Sequence, residues 1–534
     1  MTTRIRASFR VVTERINRPT PALPVDIFRI LVGLLSAVYF LHLYTQVTDF
    51  SSPDGLIDHK LIRELFWYTR IGFFGPAMTA DAFRFVFLVA FIGSLALVIG
   101  YRVRAIAIAL FLIAVSAYRW NFLVIYVDDA IMHLVLFWLI LLPAGKTLVW
   151  SEWKRDRHSA IERWKHQRVP GGTVRCFLIN LALVYLVAGL WKWTSPMWRD
   201  GSALYAALRM PIAYSPDFWT SAQLPMLKIG NYAAMILEPL LPLMLILPPR
   251  HRLKWGLLAG CIGFHLGIAL TMRIPYANLA CLAAAPIVFR HEIMSWLGQV
   301  RPCVGAPGES VILCWYTRSA IAFVTVLGLA MAGEAAIPAW RNPSRDSRHK
   351  TGLIAAGTSR VTYASSLVTK ESTIDGRVGF LKSEHNVFYT PLWFIGIAQS
   401  YRLFDWIDDR NFHVRYDITE RFPDGTSRSI DPVEMFPSTL RGVLLQGYLH
   451  DVTWGRVPRN RAAEFKASLS QRFANRYCRS HREAGRIEVL SSVERTGTHA
   501  SMTRSTPELL MLFNCQGAEA ALEYPVPVTS LASR

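Results

Sequence analysis

Cysteine is scarce in this chain: seven residues among 534, and none of them stands with histidine at a spacing that resembles a zinc site. There is no internal repeat, no low-complexity tract and no nucleotide-binding loop. These absences set aside zinc modules, repeat arrays and P-loop enzymes. Acids are also in short supply, 38 Asp and Glu against 58 Lys and Arg, for a formal charge of +20. The densest basic run, "KRDRHSAIERWKHQR", mixes in acids and lies between apolar stretches. Its expected partner is therefore an anionic lipid surface and not nucleic acid.

What the chain has in quantity is apolar sequence, 52% of residues, and it is unevenly spread. Residues 1–335 hold the long uncharged runs, while 340–534 read as an ordinary water-soluble segment. A helix that crosses a bilayer needs about 20 largely apolar residues. Runs near 27–47, 83–100, 103–119, 122–143, 174–193, 230–248, 254–272, 275–290 and 311–333 give about nine spans by that criterion. The first is too long for a cleaved signal peptide. Basic residues concentrate in alternate loops, among them Arg102, Arg104, Lys154, Arg155, Arg250 and Arg252. That bias sets the N-terminus inside and, with an odd number of spans, the tail outside the cytoplasmic membrane.

The expected architecture is an all-α polytopic bundle over 1–335, a linker at 336–352 and an extracytoplasmic α+β domain over 353–534. Two strand-like runs flank Pro-Asp-Gly in "FHVRYDITERFPDGTSRSI" (412–430), a hairpin signature, and 461–482 has helical spacing. Cys478 and Cys515 fall in this outer domain, where a disulfide is one outcome and free thiols the other.

Ionisable groups inside apolar spans are costly and tend to face a cavity or a partner. Asp26 and Arg29 are one turn apart at a helix start and are expected to pair. Asp128, Asp129 and His133 in "YVDDAIMH" read either as a structural polar cluster or as a substrate or proton site. Glu238 precedes Pro239, where a bent helix can line a cavity. His265 in "GFHLG" reads as a core histidine or a site residue. Lys192 stands between Trp191 and Trp193, with Trp198, Asp200 and Gly201 close behind. It either snorkels from an aromatic belt to water or faces inward as a base.

"VYLVAGLWKWTSPMWRDGSALY" resembles the signature region of the vitamin K-dependent γ-carboxylase superfamily, whose bacterial members are the horizontally transferred transmembrane (HTTM) proteins. The likeness rests on Ala188, Gly189, Lys192, Trp198 and Gly201, and is joined by "GFHLGIALTMRIPYANLACLAAAPIVF" (263–289), "IGIAQSYRLFDW" and "RYCRSH". It implies an integral membrane protein in which Lys192 deprotonates a reduced quinone for carboxylase-like or oxygenase chemistry on a peptide, with His265 a second catalytic candidate. Asp128, Asp129, His133, Trp198, Asp200, Gly201 and Glu238 are the residues expected around the cavity. At the start of the fourth span the animal enzyme carries Asn-Asn-His, where this chain has an aspartate pair, a departure that weighs against carboxylation itself. Two other readings stand beside the enzyme: a non-enzymatic binding, maturation or immunity module, and a transporter, the last opposed by the absence of repeat symmetry.

Overall fold

The computed structural model describes residues 17–298, 315–341, 411–450, 461–482 and 484–525. It is mostly helical, with a β-sheet domain at the C-terminal end. The main helices are α1 (Leu23–Thr45), α2 (Ala80–Val98), α3 (Val103–Trp120), α4 (Val127–Leu141), α5 (Gly171–Lys192), α6 (Leu224–Leu240), α7 (Arg252–Thr271), α8 (Pro275–Ala283) and α9 (Trp315–Arg341). They lie on every apolar stretch identified above. Five of them, α1, α2, α3, α5 and α7, are long and apolar enough to cross a membrane.

Helix ends follow local chemistry. Thr79 accepts the Ala82 N–H at the start of α2, and Pro239 interrupts α6, which tightens into a 3-10 turn over Leu241–Leu245. On α1 the inward face carries Phe28, Val32 and Phe40, fully buried, while Leu34, Val38 and Leu41 are 47%, 56% and 47% exposed. α2 repeats the pattern with Phe87 inside and Phe85, Val89 and Ile92 outside. An outer surface this apolar suits lipid and would be a liability in water.

Asp26 and Arg29 pair at 2.9 Å, both fully buried. The Asp26 carboxylate also accepts the Lys146 and Thr147 N–H groups at 3.0 and 2.7 Å. Arg29 donates to the Val98 and Leu148 carbonyls at 2.9 and 2.8 Å. With its remaining hydrogen-bonding capacity met by backbone, this pair stitches α1 to the end of α2 and to the loop after α4. A two-residue ladder, β1 (Thr20–Pro21) on β2 (Arg168–Val169), closes the same end.

In the tail, β3 (Phe412–Arg421), β4 (Ser427–Ile430), β5 (Arg486–Thr496), β6 (Met502–Arg504), β7 (Glu508–Gln516) and β8 (Glu519–Pro525) form an antiparallel sheet. The order is β4-β3-β5-β7-β8, with β6 on β5. Strands β3 and β4 are the hairpin around Pro-Asp-Gly, with Arg421 opposite Ser427. Helix α10 (Leu440–Gln446) faces the bundle, and α11 (Ala462–Ser480) packs on the sheet, where Cys478 is joined to Cys515.

The tail shares an apolar core with the loops at one end of the bundle: Phe50, Leu56 and Phe122 cluster with Tyr448, Phe465 and Phe473. Polar contacts reinforce this, with Tyr448 donating to the Leu123 carbonyl at 3.2 Å and Arg472 to the Gly55 carbonyl at 2.6 Å. Helix α9 reaches Arg341, so the first residues of the expected linker are helical. The rest of it, "IGIAQSYRLFDW" (395–406), Cys303 and Cys314 lie outside the described residues.

Candidate functional site

Lys192 closes α5 and points inward. It is 2% exposed, and its Nζ stands 2.5 Å from Glu238 Oε2 on α6, also buried. The same ammonium lies 5.2 Å from the centroid of the Trp198 ring. Of the flanking tryptophans, Trp191 is buried while Trp193 is 46% exposed and donates to the Met235 carbonyl. Trp193 is therefore the tryptophan at the protein surface, and Lys192 does not snorkel.

The close approach of α5 and α6 depends on Gly189: a Cβ there would lie 2.5 Å from Pro239 Cδ. Beyond Lys192, Ser195 caps the short helix Pro196–Asp200 that carries Trp198. Gly201 ends it at φ +84, a left-handed conformation that costs glycine little. Asp200 accepts the Ser202 N–H and, from the tail, the His499 N–H, each at 2.8 Å.

His265 on α7 is buried, with Nε2 2.8 Å from the Tyr185 hydroxyl and Nδ1 2.8 Å from Asn278 Oδ1. Because that amide oxygen only accepts, Nδ1 carries the proton and Nε2 accepts from Tyr185. Tyr185 is two turns below Lys192 on α5, and its hydroxyl stands 3.7 Å from Cys261 Sγ. The Tyr185–His265 and Lys192–Glu238 contacts thus both involve α5, two turns apart along it.

The aspartate pair begins α4. Asp129 accepts from the Tyr39 hydroxyl at 2.7 Å and the Tyr126 N–H at 3.0 Å, and it pairs with Arg441 of α10 at 2.6 Å. Burial works against the charge of Arg441, yet the adjoining Asp129 carboxylate outweighs it and holds the guanidinium pKa above its ordinary value. Asp128 accepts the Ala277 N–H at 2.7 Å, at the start of α8. His133 is fully buried one turn deeper, its ring 4.9 Å from that of Tyr118.

Between α1, α4, α8 and α10 lies an open cleft whose walls include Tyr39, His42, Asp128, Asp129, Tyr276 and Arg441. His42 Nδ1 is 2.9 Å from the Tyr276 hydroxyl. Of the residues expected around one cavity, only Asp128 and Asp129 line this cleft, while Lys192 and Glu238 form a separate buried pair. Tyr39, His42, Tyr276 and Arg441 escaped the sequence reading. The first three are unexceptional on apolar helices, and Arg441 sits in a soluble segment more than 300 positions from its partner (|i−j| = 312). No group of three or more His, Cys, Asp or Glu able to hold a metal occurs among the described residues.

A buried lysine–carboxylate pair ending one apolar helix, a histidine held by tyrosine and asparagine on another, and an outward-facing apolar surface are the features of a membrane protein with a polar interior. The HTTM domain model matches residues 17–293, more than half of the chain, and the chain belongs to that family. No curated protein and no solved structure matches it.

Proposed function

We propose that this HTTM-family membrane protein performs a quinol-linked, carboxylase-like reaction in which Lys192 is the base. The observation that carries the reading is the inward pairing of Lys192 with Glu238 at 2.5 Å, under the Trp198 ring. The role requires the pair to hold its proton on Glu238, leaving the Lys192 amine neutral. In the neutral form the amine accepts a proton from a substrate hydroxyl while Glu238 holds the pair's other proton. Lys192, Glu238 and the Trp198 ring are the groups that would meet a quinol's hydroxyl and ring. A reduced quinone, when bound, supplies oxygen-reactive electrons. The residues of this chain orient it, exclude water and carry the proton.

The same proposal includes nine spans in the cytoplasmic membrane, with the tail outside. It is supported by the bias of basic residues among the loops and by the Cys478–Cys515 bond, which belongs in an oxidising compartment. A cytoplasm-sensitive reporter fused at the C-terminus is expected to stay silent, and a strong signal would reverse this topology.

The test of the chemistry follows quinol consumption and epoxide formation with oxygen, comparing wild type, Lys192→Ala and the double variant Lys192→Ala/Glu238→Gln. Turnover in wild type and its loss in both variants, with helix content unchanged, supports the base. Equal turnover in all three removes Lys192 from the mechanism. A second reading, a binding or maturation module, is favoured by the tail's Arg441 walling the cleft over Asp129. Absence of turnover with every quinol tried would favour it.

A further inference from the structure

The cleft above α1 carries a charge pattern that the chain does not complete. Asp128 is buried and accepts the Ala277 N–H; Arg441 attracts it from beyond contact distance, and it forms no ion pair of its own among the described residues. Arg273, on the same walls, is half-buried and donates to the Ser438 carbonyl, and no carboxylate pairs with it among the described residues. Arg441 is already committed to Asp129. Gln46 is 9% exposed; its Nε2 meets His42 Nε2 at 2.5 Å, and its Oε1 has no partner. One acid, one base and one orphaned acceptor therefore line an open cleft beside the Arg441–Asp129 pair, His42, tyrosine rings and aliphatic side chains.

A buried carboxylate without a cation is costly, and so is an unmet acceptor. The occupant that relieves all three carries N–H donors and a negative group on one small frame. The exposed apolar row Leu34, Val38 and Leu41 of α1 ends beside His42 at this cleft, giving acyl chains a surface that leads to it. We propose that the cleft binds a zwitterionic phosphoethanolamine group, the headgroup of a membrane lipid, with its ammonium on Asp128 and its phosphate on Arg273. This is independent of the quinol reading, since it uses neither Lys192 nor Glu238.

The experiment is native mass spectrometry of the full chain in detergent. The protein is offered equimolar phosphatidylethanolamine, phosphatidylcholine and phosphatidylglycerol with identical acyl chains. Wild type is expected to retain the ethanolamine lipid several-fold over the others, because trimethylation removes the N–H donors and glycerol removes the cation. Asp128→Asn and Arg273→Gln are each expected to cut that retention by about tenfold, within the range for one charge-assisted hydrogen bond. Arg273→Gln lies in a half-buried turn and keeps the test informative where Asp128→Asn fails to fold. Equal retention of the three lipids, or undiminished retention of the ethanolamine lipid in Arg273→Gln, would overturn the proposal. Displacement by free O-phosphoethanolamine would show that the headgroup chemistry suffices; resistance to it would show that the acyl chains on α1 contribute.

Discussion

Lys192 Nζ and Glu238 Oε2 stand 2.5 Å apart across α5 and α6, both side chains almost completely withdrawn from the surface. A lone buried charge is far more costly than a buried pair. Glu238→Gln and Lys192→Met are each expected to lower stability by about 3–5 kcal/mol. The double variant Lys192→Met/Glu238→Leu should recover most of that loss. Thermal unfolding in detergent distinguishes the cases, and a double variant as unstable as the sum of the singles would argue against a mutually compensated pair.

The helix contact beneath that pair makes its own prediction. Gly189→Ala drives a methyl against Pro239 and should cost about 1–3 kcal/mol, with Lys192 displaced from Glu238. Gly263→Ala on α7 meets nothing within 4 Å and serves as the control. It is expected to be neutral or slightly stabilising, since alanine orders a helix better than glycine. Similar losses at both positions would mean that the α5–α6 approach is not special.

Docking of the tail rests partly on Arg441. Replacing it with methionine strands Asp129 and should loosen the tail by about 3 kcal/mol. Limited proteolysis is the readout: faster cleavage near α10 is expected, while the disulfide-linked α11 and β7 stay protected. An unchanged digestion pattern would show that the shared apolar core holds the tail without the ion pair.

Acid should weaken the same junction. His59 opens the short helix His59–Leu65 between α1 and α2, stacked on Trp120 at 4.1 Å, with Nε2 2.8 Å from the Phe50 carbonyl. Burial pushes its imidazole down to about 3, despite the carbonyls that favour the charged form. Burial likewise pushes His450, in the tail, down to about 3. A lowered folded-state pKa means that the stabilisation is complete above the unfolded value near 6.5 and is lost as pH falls from there towards 3. Each group contributes a slope of about 1.4 kcal/mol per pH unit in that window. His59→Gln should flatten the acid limb of an unfolding-versus-pH curve, and an unaltered limb would assign it to other groups.

Sequence alone determined the apolar, membrane-type character of residues 1–335, the hairpin around Pro-Asp-Gly, the helix within 461–482 and the likeness centred on Lys192. Those properties are local: hydropathy, turn chemistry and helical spacing act over a few residues and need no knowledge of what packs against them. The tertiary structure decided which way Lys192 faces, because rotation of α5 is set by the Gly189–Pro239 contact and by Glu238, 46 positions away. It also decided that Asp129 meets the tail and not Lys192, and that Tyr39, His42, Tyr276 and Arg441 share one cleft. Apolar helices advertise that they are buried or lipid-facing, but their periodicity does not say which polar side chain meets which. That choice is made by pairing energies between elements distant in the chain, strongest where water is excluded.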